Sequence, residues 1–281
     1  MPDSVIAAQL YTVRAFAGTP GDLARTLRRI KQIGYEAVQV SGVGAIEPGE
    51  LAGMLRGEGL VCCATHEPFE AMRDKTEEVL EKHRVLGCRY SAVGVLPMEY
   101  RNRDGYRRFA REYSEVARRM KAGGLEVGYH NHHWEFEKFD GRAGLRMLIE
   151  ECDPAAHFEI DTYWVQAGGG DPAEWVRKVA GRVPLVHLKD MVYGRDDTTA
   201  DGLKRNTGES EEQFKKRQEA ARGPKAIMAE VGEGNMNWPG ILRACGEAGV
   251  RWYIVEQDVC QRDPFESLAI SLRNVRGMGL Q

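Results

Sequence analysis

Short apolar runs and longer amphipathic runs alternate along this chain from end to end. The apolar runs lie at 6–13, 37–41, 61–66, 90–96, 125–130, 158–163, 185–189 and 253–258. Their length and near-continuous apolar character suit strands buried on both faces. A further extended piece at 227–231 falls between the last two. Between the runs the hydrophobic period becomes 3.6. In 21–30, Leu23, Leu27 and Ile30 share one helical face. The same period predicts helices over 75–86, 107–122, 143–151, 172–179, 239–248 and 264–276. Pro172, Pro239 and Pro264 stand near three helix starts, where the missing N–H is not needed. Gly34, Gly59, Gly87, Gly124 and Gly249 stand just before a strand and predict left-handed helix ends. This alternation predicts an α/β fold, a single-domain (β/α)8 TIM barrel over 1–281. A doubly wound open sheet is the structural alternative. Against it, no Gly-x-Gly-x-x-Gly follows the first strand and nothing resembles a phosphate loop.

One segment breaks the rhythm. Residues 194–225 are rich in charged and small polar side chains, with a surface helix expected near 211–219. The excursion follows the seventh strand, on the side where barrels keep their active sites. It is either a solvated excursion or a candidate lid or subunit contact, the latter making a second copy of the chain a candidate partner.

Composition narrows the partners. With 281 residues and 42% apolar content the chain can bury a large core. A net charge of −3 gives no reason to expect nucleic acid or an anionic membrane. No apolar stretch approaches the ~20 residues of a membrane span. The first residues lack the basic and apolar regions of a signal peptide, so a cytoplasmic location is the expectation. Of the six cysteines none forms a Cys-x-x-Cys pair, which points to reduced, buried thiols.

The chemistry lies at the strand ends. Four runs in the second half of the chain close on His130, Asp161, His187 and Glu256. A lone strand-end histidine is usually a hydrogen-bonded structural residue. Four such ends in succession place imidazole and carboxylate around a common point, a donor set that suits a divalent metal. Alternation along a strand carries this further. Glu159 and Tyr163 go with Asp161, Lys189 with His187, Asp258 with Glu256 and His132 with His130. Gln9, Tyr11 and His66 are placed similarly on the first and third strands. Such a mouth suits a small polyhydroxylated or keto substrate. His83, His133 and His157 fall outside the pattern.

These motifs resemble the xylose-isomerase-like barrel superfamily of sugar isomerases and epimerases, inosose dehydratases, dehydroshikimate dehydratases and the endonuclease IV group. The resemblance begins at Gln9-Leu10-Tyr11-Thr12-Val13-Arg14. It is strongest at Gly128-Tyr129-His130-Asn131-His132 and at Val186-His187-Leu188-Lys189-Asp190. It continues through Val231-Gly232-Glu233-Gly234 with Trp238, and Tyr253-Ile254-Val255-Glu256-Gln257-Asp258. In the epimerase branch a Glu, an Asp, a His and a Glu after strands five to eight hold one divalent metal. The resemblance therefore implies Asp161, His187 and Glu256 as ligands of manganese, cobalt, zinc, magnesium or iron. At the first position this chain has His130, with His132 or Glu135 as substitutes. Only one of the two glutamates that branch uses as paired acid and base is present, which weakens simple carbon-3 epimerisation. The endonuclease IV branch needs further histidines. Trp164 stands where one would be, and Val95-Leu96-Pro97 offers no ligand, so DNA repair is not expected.

The implied chemistry is metal-assisted removal of a proton next to a carbonyl, through an enediolate. Glu256, or Glu159 nearby, is the expected base. Lys189 or His132 would polarise the carbonyl, and His66 would protonate a leaving group. Gln9, Tyr11, Glu135, Trp164, Glu233 and Asp258 complete the candidate substrate contacts. Glu233 is the weakest, since its turn is expected to anchor a loop. Isomerisation or epimerisation of a sugar, keto-sugar or cyclitol leads the readings. β-Elimination on the same site comes next, ahead of a metal-dependent hydrolase and a non-catalytic sugar-binding barrel.

Overall fold

The apolar runs close on themselves. In the computed structural model, which describes residues 5–195, 203–221 and 224–280, eight parallel strands form a barrel. In chain order these are β1 (Ile6–Gln9), β2 (Ala37–Val40), β3 (Val61–His66), β4 (Tyr90–Val93) and β5 (Glu126–His130). A small hairpin follows, β6 (Lys138–Phe139) with β7 (Arg142–Ala143). The barrel then resumes with β8 (His157–Asp161) and β9 (Leu185–Leu188), and is closed by β12 (Trp252–Val255) against β1. The ribbon between them, β10 (Asp190–Arg195) and β11 (Pro224–Ala229), is antiparallel. The five glycines expected at helix ends all have φ between 62° and 113°, a region that costs other residues strain.

Side-chain alternation gives the barrel interior two layers. Ala7, Ala37, Ala64, Leu185 and Ile254 form a fully buried apolar layer. Two residues further along the same strands stand Gln9, Gln39, His66, His187 and Glu256. The polar layer therefore sits at the C-terminal end of the strands, on an apolar floor. Outside the barrel, Tyr113 ties two strands to the helix Arg103–Ala122. Its hydroxyl donates to the carbonyls of Val127 (3.0 Å) and His157 (3.1 Å).

Several strands are shorter than their apolar runs, and two of them end in a cap hydrogen bond. The first ends at Gln9, whose side chain accepts from the Tyr11 amide (3.3 Å) and starts the 3-10 helix Leu10–Phe16. The sixth barrel strand ends at Asp161, whose Oδ1 accepts from the Trp164 amide (2.9 Å) and caps the helix Thr162–Ala167. Tyr163 is thus a helical residue, and strand alternation does not carry it to the mouth. Hydrophobicity continues through both junctions; the cap hydrogen bond ends the strand. The helix Pro48–Gly57 was signalled only by Gly59 beyond its end, and Phe69–Asp74 was not expected from the pattern.

The charged excursion opens as β10 and returns as β11, whose end is the predicted extended piece. The expected surface helix runs Glu211–Ala221. Residues 196–202 and 222–223 of the excursion lie outside the described residues. The base of the ribbon is held by Asp190. Its carboxylate accepts from the amides of Met191 (2.7 Å), Gly232 (2.8 Å) and Gly234 (3.1 Å) and from the Trp238 indole (2.6 Å). A side chain at Gly234 would collide with that carboxylate. The acceptor organising the 232–234 turn is therefore Asp190 and not Glu233, whose Oε1 accepts from Asn274 (3.2 Å) at an exposed site. Asp190→Ala strands four donors around a buried hub. It is expected to cost about 3 kcal/mol or more of stability, read as a lowered urea midpoint, with Asp190→Asn milder.

No helix among the described residues is long and apolar enough to cross a membrane. Cys62, Cys63, Cys88, Cys152 and Cys245 are buried free thiols and Cys260 is half-buried.

Candidate metal centre and cavity

Adjacent strand ends bring together His130, Asp161, His187 and Glu256, with one ligand atom from each lying within 4.8 Å of the others. Barrel register does this: Asp161 pairs with His187, and Glu159 with His130. Asp161 spends Oδ1 on its helix cap and turns Oδ2 inward. That atom lies 3.3 Å from His130 Nε2 and 3.9 Å from His187 Nδ1. His187 Nδ1 lies 2.7 Å from Glu256 Oε2.

The far nitrogens of both imidazoles meet acceptors. His130 Nδ1 faces the Gly94 carbonyl (3.2 Å). His187 Nε2 faces Gln39 Oε1 (2.6 Å) and Glu159 Oε1 (3.2 Å). Each far nitrogen must carry a proton to satisfy its acceptor, which leaves the near nitrogen free to ligate. Two oriented imidazoles and two carboxylates fit a divalent ion of the zinc, manganese, cobalt or iron type.

Glu159 lies under this set. It is fully buried. Its Oε2 pairs with His66 Nε2 (2.6 Å), and its Oε1 accepts from Gln39 Nε2 (2.7 Å). Gln9 Nε2 in turn donates to Gln39 Oε1 (2.6 Å). Gln9 and Glu159 therefore support the histidines from below and do not line the cavity. His66, Glu159 and His187 form a second candidate metal group that shares His187 with the first.

Lys189 is buried with its ammonium among three carboxylates: Glu256 (2.8 Å), Asp161 (3.0 Å) and Asp258 (3.0 Å). Burial favours its neutral form, but these carboxylates outweigh that and raise its pKa above the lysine range. Burial would likewise raise the pKa values of Glu256 and Asp161. The Lys189 ammonium, with His187 at Glu256 and His130 at Asp161, holds both below the usual range. Burial would lower the His187 pKa, yet Glu159 and Glu256 raise it to about 10. At His132 and His66 burial prevails and favours the neutral ring. At Asp258 burial, with the Glu256 charge, raises the pKa.

The cavity above encloses about 790 Å³. Of the residues expected at the mouth, Tyr11, His66, His132, Trp164, Lys189 and Asp258 line it, as do the ligand candidates His130 and Glu256. Glu135 does not. It accepts from the Tyr129 hydroxyl (2.5 Å) and the His132 amide (2.7 Å), and so shapes the loop that carries His132. Glu233 also lies outside the lining, and Trp238 is a core residue.

Gln39, Ser41, Asn131 and Trp134 were missed. Gln39 was visible as a lone amide within Ala37-Val38-Gln39-Val40. Asn131 Oδ1 accepts from the Asp161 amide (3.0 Å), a contact no local pattern signals. Trp134 opens the short 3-10 helix Trp134–Phe136, too short to show a periodicity.

A closed parallel barrel with a buried His/Asp/Glu cluster at its C-terminal mouth defines a class of barrel proteins, and the comparisons narrow it. The chain belongs to the xylose isomerase-like TIM barrel family, whose model matches residues 27–273. It is similar to the structure of a sugar phosphate isomerase/epimerase from Parabacteroides distasonis, at 21% identity and TM-score 0.73, over 98% of this chain and 94% of that one. An L-ribulose 3-epimerase is similar at 16% identity and TM-score 0.64, over 98% of this chain and 94% of that one. D-allulose 3-epimerase from Methylomonas sp. is similar at 12% identity and TM-score 0.64, over 99% of each chain. No curated protein sequence matches the chain.

Proposed function

We propose that this chain is a divalent-metal-dependent enzyme of the sugar isomerase/epimerase type. It removes a proton next to the carbonyl of a sugar, keto-sugar or cyclitol. The observation that carries this reading is the four-ligand cluster, two of whose members, His130 and the carboxylate Glu256, line the cavity. The printed names of the structural neighbours support the substrate class.

His130, Asp161, His187 and Glu256 would hold the ion. When bound, a divalent ion supplies Lewis-acid polarisation of neighbouring hydroxyl and carbonyl oxygens. Glu256 takes up the α-proton, because its carboxylate reaches the cavity and Glu159 does not. Glu159 orients His187 and His66. The ammonium of Lys189 faces three carboxylates, of which the Asp258 side chain is the most exposed at 22%. Lys189 donates to a substrate oxygen by exchanging that contact. His132 remains neutral and serves as a hydrogen-bonding group. His66, neutral and with its Nε2 hydrogen on Glu159, serves as a hydrogen-bond acceptor at Nδ1, which lies 3.4 Å from Ser41 Oγ.

β-Elimination from a keto-sugar or inosose is the second reading. His130 at the end of β5, where the epimerase pattern has a glutamate, favours it because elimination needs one base.

The experiment is a pair of measurements on the purified protein. Elemental analysis is expected to find about one divalent ion per chain. Keto-sugars and inosose-like compounds in D2O are expected to take up deuterium at the α-carbon. Activity without metal, or metal with no exchange on any compound, would refute the reading.

A further inference from the structure

The cavity is larger and more apolar than its ligand cluster requires. Its volume of about 790 Å³ lies in the upper part of the roughly 300–1,000 Å³ that buries a drug-sized ligand. The charge around it does not suit an anionic group. Glu67, Glu70, Glu256 and Asp258 line it. Lys189 is the one ammonium among the described lining residues, and three carboxylates already hold it. Two nearby guanidinium groups are committed elsewhere. Arg14 stacks on Tyr11 (4.1 Å) and donates to the Tyr11 and Asp258 carbonyls. Arg101 stacks on Trp134 (4.1 Å) and donates to the Leu96 carbonyl.

A ladder of rings leads away from the metal-type cluster. The His130 and His132 ring centroids are 4.8 Å apart. His132 and Trp134 are stacked at 4.2 Å with planes 12° apart. Trp164 lies 5.4 Å from His132, with the Lys189 ammonium 5.5 Å from its ring. Trp134 and Trp164 both line the cavity and are partly exposed, yet their indole Nε1 atoms are buried without a protein partner. What these indoles present to the cavity is therefore carbon surface. Val95 and Val259 also line it and are 52% and 58% exposed.

We propose that the substrate is an unphosphorylated sugar or cyclitol carrying a flat apolar substituent, as in an aryl glycoside. Its polyhydroxylated ring lies over His130 and Glu256, and its substituent packs against the edge of Trp134, whose two faces are covered by His132 and Arg101. This rests on the four-ligand cluster being the reacting centre, as proposed above, and adds the substrate class. The carbon edge of Trp134 suits a flat apolar group, since aromatic pairs accept edge-to-face contact. The acidic lining and committed cations disfavour a phosphate.

Calorimetric titration of the metal-loaded protein with three probes tests this. The probes are a hexopyranose oxidised to a ring ketone, its phenyl glycoside and its 6-phosphate. The phenyl glycoside is expected to bind about tenfold tighter than the free keto-sugar, and the phosphate ester more weakly than either. Trp134→Ala is expected to bring the glycoside to the affinity of the free sugar, while Trp134→Phe keeps the preference. Equal affinities, tighter phosphate binding, no measurable glycoside binding, or a preference that survives Trp134→Ala overturns the proposal. The wild-type order alone decides if the alanine variant does not fold. Deuterium exchange on the same probes separates this proposal from the one beneath it. Preferential glycoside binding without exchange on any probe keeps the substrate class and defeats proton abstraction. Exchange with tighter binding of the phosphate ester does the reverse.

Discussion

Glu256→Gln is expected to lower solvent deuterium exchange at the substrate α-carbon by about 10³-fold, within the range that a positioned base contributes. The amide keeps the size of the side chain and an oxygen that can still face His187, but it cannot accept the proton. The fold is expected to survive, because Lys189 keeps Asp161 and Asp258 as partners. Asp258→Asn is the informative companion. Asp258 lines the same cavity and its pKa is raised, so it is the other carboxylate able to act as base. If Asp258 only partners Lys189, its loss should cost about tenfold, the scale of one weakened hydrogen bond. Exchange that survives Glu256→Gln and vanishes in Asp258→Asn would transfer the role. NMR on one substrate reads both outcomes.

The second large effect concerns the metal. Asp161→Ala and His187→Ala are each expected to abolish stoichiometric binding of a divalent ion, measured by elemental analysis after dialysis. Glu159→Gln is expected to weaken binding by about 10–100-fold, because it removes an outer carboxylate that orients His187. Binding should also depend on pH in a definite direction. Glu159 and Glu256 raise the pKa of His187 to about 10, so below that value the metal-free site holds a proton on this ring. A metal must expel it, and apparent affinity is expected to rise roughly tenfold per pH unit between pH 6 and 9. Titration in buffers of different ionisation enthalpy would count the released proton. An ion retained by Asp161→Ala would place the centre elsewhere.

Much of this arrangement was legible in the residue order. Leu23, Leu27 and Ile30 declare a helical face, and the glycines before the strands mark helix ends. The clustering of His130, Asp161, His187 and Glu256 followed from strand ends alone, because a barrel brings all its C-terminal strand ends to one mouth. Alternation carried Lys189 and Asp258 to that mouth correctly. It failed at Tyr163, where the carboxylate of Asp161 captures the Trp164 amide and converts the chain to helix. Neither hydrophobicity nor spacing encodes which of two local hydrogen-bonding solutions prevails. Glu233 and Asp190 show the same limit. Glu233 stands within the glycine turn and Asp190 some forty residues before it, and only the fold decides which carboxylate organises that turn.

By itself the sequence determined the alternating elements, the barrel and the identity of four strand-end ligand candidates, because period and strand polarity act locally. The tertiary structure decided which carboxylates face the cavity and which lie beneath it. Glu159 lies within β8 and Glu256 directly after β12, but Glu159 is enclosed by Gln39, His66 and His187 while Glu256 opens onto the cavity. It also decided that Trp134 lines the wall. These outcomes depend on stagger between neighbouring strands and on where loops fold back, contacts between residues far apart in the chain.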